Sequence, residues 1–180
     1  GTLLKDILRT SILNQKFLNS MSITLIEKNK SLIEIQKNIL NTENISWNME
    51  FNVANENIPS IIYSNEFFDC FPVRQFQKKE KWYEKYVDYN ETEQKFTFVS
   101  KQVKDDTLLR SLKKFEHVKV AEISNSRDKY FKSVCKFIKK NKGVFITIDY
   151  GYKNPPDHFS LQTIYHHKKT HLFENIGNQD

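Results

Sequence analysis

Three apolar runs, each too short for a helix, end abruptly in polar residues. Ile23-Thr24-Leu25-Ile26 runs into Glu27, Ile61-Ile62-Tyr63 into Ser64-Asn65-Glu66, and Val144-Phe145-Ile146-Thr147-Ile148 into Asp149-Tyr150-Gly151. Runs of this length read as buried strands. Around them stand stretches with apolar residues at 3–4 spacing, which predict helices over residues 2–18, 30–40 and 127–140. Strands alternating with helices predict an α/β fold with a parallel sheet and crossover helices. Ligands bind such sheets beyond the carboxyl ends of the strands. The polar residues at these strand ends are therefore the first candidates for function.

The helical stripes are Leu3, Leu4, Ile7, Leu8 and Ile12; then Leu32, Ile35, Gln36 and Ile39, with Ser31 near the start; then Tyr130, Phe131, Val134, Cys135 and Ile138. Ser124 or Ser126 suits the N-cap of the last helix. Cys135 reads there as a small buried hydrophobe. Ile45-Ser46-Trp47 is a further brief apolar run, followed by a polar loop that reaches Pro59. Residues 105–115 predict a short helix and 118–123 an extended segment. Between 73 and 100, aromatic and charged positions alternate, which predicts an antiparallel β insertion with Asp88-Tyr89-Asn90-Glu91 as a turn. The last 20 residues are polar with weak pattern.

A chain of 180 residues is one ordinary domain by length, 1–180. Its mean hydropathy of −0.64 lies towards the polar end, yet 14 Phe and 8 Tyr supply ample area for a core. No apolar run approaches the length of a membrane span, and no charged-then-apolar leader precedes the first helix. Cys70 and Cys135 lie in different elements without metal-ligand spacing, which fits a reducing compartment. The net charge of +6 raises the question of nucleic acid, but only four of the 28 basic residues are Arg. Planar recognition of bases and phosphates favours Arg. The scattered lysines read as a solvated surface.

Four groups of residues could carry chemistry. Glu27, at a strand end, suits a carboxylate that accepts hydrogen bonds from a nucleotide ribose, or is a surface acid. Asn65, Glu66 and Asp69 read equally as a helix cap or as a site walled by Phe67 and Phe68. Asp149-Tyr150-Gly151 is explained by turn formation alone. His158, His166, His167 and His171 lack the spacing of a zinc motif.

Read in order, the segments resemble the MidA family of class I S-adenosylmethionine-dependent methyltransferases. Gly1-Thr2-Leu3-Leu4-Lys5-Asp6-Ile7-Leu8-Arg9 is similar to the end of the family's glycine-rich cofactor loop and its helix. Leu25-Ile26-Glu27 through Gln36 resembles its second strand and helix. Asn65-Glu66-Phe67-Phe68-Asp69, Pro72 and Arg74-Gln75-Phe76 resemble its most specific signature. Ala121-Glu122-Ile123-Ser124, Ile148-Asp149-Tyr150-Gly151, Leu161-Gln162 with His167, and Gly177 to Asp180 match in order.

The resemblance implies a Rossmann-like class I methyltransferase sheet, truncated, with the antiparallel β insertion at 73–100. It also implies methyl transfer from S-adenosyl-L-methionine to a nitrogen, with a protein arginine of a respiratory-complex-type substrate as acceptor. Gly1, Thr2, Glu27 and Asn65 would then bind the cofactor, and Asn65, Glu66 and Asp69 would be catalytic. Trp47 would touch adenine or pack. A bacterial cytoplasm or a mitochondrial matrix would be the compartment. Family members are roughly twice this length, and the first strand, the early glycines of the cofactor loop and the C-terminal part of the family domain have no counterpart here. The chain is thus expected to be a fragment, completed by an N-terminal segment or acting as a catalytically inactive partner-binding module. Nucleic-acid methylation is a third reading, testable by the salt dependence of binding.

Overall fold

A computed structural model describes residues 1–41, 44–51 and 57–178. Residues 52–56 of the loop before Pro59, and the last two residues of the segment Gly177 to Asp180, lie outside the described residues. The chain divides into two compact units, Gly1–Ile58 and Pro59–Asp180.

The first unit is helix-rich. The helix expected over 2–18 is two helices, α1 (Thr2–Ser11) and α2 (Gln15–Ser20), because Asn14 breaks the run and caps α2 by accepting from the Phe17 N–H at 3.1 Å. Strand β1 (Ile23–Ile26), helix α3 (Lys30–Leu40) and strand β2 (Ile45–Asn48) follow. Asn29, one residue before α3, caps it through the Ser31 and Leu32 N–H groups. β1 and β2 pair in parallel, Ile23 opposite Ile45 and Ile26 opposite Asn48. With α3 as the crossover, this is the strand–helix–strand unit that the alternation predicts. α1 packs on α3.

The second unit mixes both kinds of pairing. β3 (Ile61–Asn65) and β8 (Val144–Ile148) are parallel, with Asn65 opposite Ile148. Gly143, just before β8, stands against Ser60: a Cβ there would lie 2.1 Å from the Ser60 carbonyl oxygen. Only glycine permits that approach.

The connection from β3 to β8 holds a four-stranded antiparallel sheet. Its strands are β4 (Arg74–Lys78), β5 (Trp82–Asn90), β6 (Lys95–Gln102) and β7 (Val120–Ile123), in the order β6-β5-β4-β7. The expected turn at Asp88-Tyr89-Asn90-Glu91 falls later, at residues 91–94. Asp88 to Asn90 remain in β5, and the Asn90 side chain accepts the Glu93 N–H at 3.1 Å to close the turn. Helix α4 (Asp106–Leu112) runs into a short 3₁₀ turn, and α5 (Asn125–Asn141) precedes β8.

The core of this unit lies against the antiparallel sheet. Phe76, Trp82, Val103, Leu112 and Ala121 are buried together, with Leu108, Leu109, Phe115 and Ile123 around them. α5 turns Val134 and Asn141 inward and leaves Cys135 exposed, which corrects the reading of Cys135 as a buried hydrophobe. Cys135 and Phe131 sit on one edge of the apolar stripe, and the helix turns the opposite edge, with Phe137, more fully inward. Near the C-terminus a hairpin, β9 (Thr163–Tyr165) and β10 (Lys168–Thr170), turns on His166 and His167, both with positive φ. Two such residues make the tight turn that suits paired strands. The histidine pair concealed it, because Asn-Gly is the usual signal.

Candidate functional site

In the first unit, Glu27 extends the β1–β2 ladder by one bond, its N–H donating to the Asn48 carbonyl at 2.9 Å. This half-buried carboxylate is held from two sides. Oε1 accepts the Asn29 N–H at 2.9 Å and Oε2 accepts the Gln36 amide at 3.3 Å. The Gln36 carbonyl in turn accepts the Trp47 indole N–H at 3.0 Å. Trp47 is thus tied to the residue that orients Glu27. Each carboxylate oxygen keeps a lone pair for a further donor. Gly1 and Thr2 open α1, whose first turn carries no acid.

In the second unit, Asn65 ends β3, and a turn over residues 66–73 follows in place of a helix. The capping reading of Asn65, Glu66 and Asp69 therefore does not apply. All three side chains are exposed, while Phe67, Phe68 and Phe71 are half-buried beneath them. Glu66 adopts φ +45°, a left-handed conformation that costs a residue with a Cβ roughly 1–2 kcal/mol. Its N–H still reaches the Ile148 carbonyl at 2.8 Å, so the parallel ladder continues past the strand end.

Side-chain hydrogen bonds also fasten this turn to neighbouring elements. Asp149, at the end of β8, accepts the Phe68 N–H at 2.9 Å and its neighbour Tyr150's N–H at 3.0 Å. The Tyr150 hydroxyl donates to Asp69 at 2.7 Å. Ser124 donates to the Pro72 carbonyl at 2.8 Å and caps α5 through the Arg127 N–H. Beneath, Phe67 meets Phe68 edge-on with ring centres 5.2 Å apart, and Tyr130 of α5 lies 5.0 Å from Phe67. Burial pushes the Tyr130 phenol up.

The electrostatics are one-sided. The Tyr150 phenol is pushed up to about 12, first by its hydrogen bond to Asp69, then by desolvation, and further by the nearby charges of Asp69, Asp149 and Glu66. Among the described residues no Lys or Arg forms an ion pair with these three carboxylates. A shallow pocket of about 330 Å³ opens beside the turn, lined by Phe68, Phe131, Asp128, Asp149, Arg127 and Lys132 among others. Its aromatic walls carry two carboxylates, Asp128 and Asp149, matched by the cations of Arg127 and Lys132.

The rest of the signature is structural. Arg74 donates two hydrogen bonds to Glu84, at 2.6 and 2.7 Å, and Tyr86 adds a third at 2.5 Å. Gln75, buried, donates to Glu122, which also accepts from Ser160. Phe76 is fully buried. Arg74, Gln75 and Phe76 thus build the sheet. The described residues hold no His, Cys, Asp and Glu group able to bind a metal ion. Tyr150, which sequence reasoning assigned to a turn, is joined to Asp69. The signal was its place: two parallel strands that pair bring their polar ends together.

A family model described as "Putative S-adenosyl-L-methionine-dependent methyltransferase" matches residues 1–180. The chain belongs to that family. A solved structure from Burkholderia thailandensis, a candidate methyl transferase bound to S-adenosyl-homocysteine, aligns with a TM-score of 0.72 at 18% identity. The alignment covers 89% of this chain and 44% of that one, so the chain spans less than half the length of that structure. At this identity the likeness shows the fold, a mixed α/β arrangement with parallel and antiparallel pairing. The family is S-adenosyl-L-methionine-dependent, and Glu27 fits that cofactor: a fixed carboxylate with free lone pairs is what a ribose diol requires. A Cβ at Gly1 would sit at an ordinary 3.6 Å from Gln36 and Ile39, so packing on α3 does not demand a glycine there. No helix among the described residues is long and apolar enough to cross a membrane.

Proposed function

We propose that this chain transfers a methyl group from S-adenosyl-L-methionine to a nitrogen of a protein arginine, as a MidA-type member of its family with a Rossmann-like class I sheet. The observation that supports this most is the turn after β3. It exposes an amide and two carboxylates at the end of a parallel strand pair and is cross-linked to Asp149, Tyr150 and Ser124.

Glu27 accepts hydrogen bonds from the ribose hydroxyls. Gly1 and Thr2 offer the free N–H groups of α1's first turn to a carboxylate. When bound, the cofactor supplies a methyl already activated by its sulfonium. What this chain's residues supply is alignment and exclusion of water. The Asn65 amide oxygen accepts from the acceptor nitrogen and turns its lone pair outward. Glu66 and Asp69 pair with the guanidinium, whose fork matches a carboxylate. Neither acid removes a proton from free arginine beforehand, because a guanidinium stays protonated in a protein; they hold and balance charge, and the proton given up by the nitrogen as the N–C bond forms and the S–C bond breaks passes to a carboxylate or to water. Phe67 and Phe68 form the apolar floor beneath. The partner is a protein substrate, of the respiratory-complex type for a MidA member.

Two measurements test this. Titrating S-adenosyl-homocysteine against the purified chain by calorimetry is expected to show binding, and no heat at millimolar ligand would overturn the cofactor assignment. Labelled methyl transfer to arginine peptides, with none to lysine or glutamine peptides, tests the acceptor.

A further inference from the structure

We propose that Tyr150 is a positioning residue for methyl transfer, acting by orienting Asp69. This rests on the reading of Asn65, Glu66 and Asp69 as the acceptor site. The Tyr150 hydroxyl donates to Asp69 Oδ2 at 2.7 Å, while Asp149 accepts the backbone N–H groups of both Tyr150 and Phe68. Tyr150 is therefore anchored to the same turn that its hydroxyl serves.

Tyr150 is 65% exposed, so it adds little to the core. What it contributes is the hydroxyl. An aspartate on an exposed turn would otherwise rotate among several rotamers. With Oδ2 engaged, Oδ1 points in one direction and stays available to a guanidinium N–H. The donor's chemistry matters as much as its place. A lysine or arginine here would neutralise Asp69, whereas a neutral phenol fixes the carboxylate and leaves its charge in place. That choice suits a cationic acceptor and adds nothing for a neutral one.

The test compares the wild-type chain with Tyr150→Phe, Asp69→Asn and the double variant. Each is assayed for methyl transfer from labelled S-adenosyl-L-methionine to a pool of short peptides with one central arginine. Tyr150→Phe is expected to lower kcat roughly ten- to hundredfold, the scale on which misplacement of a reacting group acts. The KM for S-adenosyl-L-methionine and the calorimetric affinity for S-adenosyl-homocysteine should hold within about twofold, and Tm within about 2 °C. The double variant should be no slower than Asp69→Asn alone, because one residue acts through the other.

An active Tyr150→Phe variant, or losses that multiply in the double variant, would overturn this inference and leave the proposed function standing. A fall in kcat that tracks a fall in Tm would overturn it too, in favour of a purely structural bond. A wild-type chain that binds S-adenosyl-homocysteine but methylates no arginine peptide would overturn the acceptor reading and this inference together.

Discussion

The Phe68 N–H donates to the Asp149 carboxylate at 2.9 Å, across 81 residues of sequence. The bond joins the turn after β3 to the end of β8, where the two strands already pair in parallel as far as Asn65 and Ile148. Asp149→Ala should remove it together with the bond to the Tyr150 N–H. Hydrogen bonds to a charged acceptor contribute about 1.5–3 kcal/mol, and exposure at this site places the loss near about 1 kcal/mol. Amide exchange at Phe68 should accelerate while the core residues Phe76 and Leu112 stay protected.

Glu27→Ala separates a ribose ligand from a merely structural acid. Loss of one charged hydrogen bond to a ribose should weaken S-adenosyl-homocysteine roughly 10–100-fold by calorimetry. If Tm falls and affinity does not, Glu27 serves only the start of α3, where it accepts the Asn29 N–H.

Gly143→Ala probes the start of the β3–β8 pair. The new Cβ would meet the Ser60 carbonyl oxygen at 2.1 Å, and that oxygen also accepts the Val144 N–H at 2.8 Å. Overpacking against backbone costs about 1–3 kcal/mol, and a lowering of Tm by roughly 5 °C is expected.

The Tyr150 phenol should ionise late, near 12, against the ordinary 10.0. A phenol whose folded value is raised contributes stability that is complete below pH 10 and is lost as the pH climbs towards 12. In Asp69→Asn its ionisation should move back towards 10. Phenolate absorbance of each protein, less that of its Tyr150→Phe counterpart, isolates this one group.

Arg74→Met tests the bidentate pair on the sheet. The Arg74 hydrogen bonds hold the buried Glu84 carboxyl below its ordinary 4.5. Its contribution is therefore present above pH 4.5 and fades as the pH falls further. Arg74 is about half exposed, so the expected loss is about 1–2 kcal/mol at neutral pH. The difference between variant and wild type in denaturant unfolding should shrink under acid.

Much of this architecture was legible in periodicity. The apolar runs at 23–26, 61–63 and 144–148 are strands, residues 30–40 are a helix, and the parallel pairing follows from their alternation. Misreadings arose where a local signal was ambiguous. Asn14 divides the first helix with a cap that its apolar stripe did not reveal. His166 and His167 make a hairpin turn without the usual residues. Cys135 lies at an edge of its stripe, where periodicity cannot tell half-buried from exposed.

For the candidate site, sequence alone determined which residues stand at strand ends: Glu27, Asn65 with Glu66 and Asp69, and Asp149 with Tyr150. Spacing within one run is sufficient for that, because a strand's length is written in its own residues. Which of these ends belong together was decided by the tertiary structure. Parallel pairing of β3 with β8 brings Asp149 to Phe68 and Tyr150 to Asp69. A hydrogen bond depends on distance in space, and no local pattern encodes a partner 81 residues away.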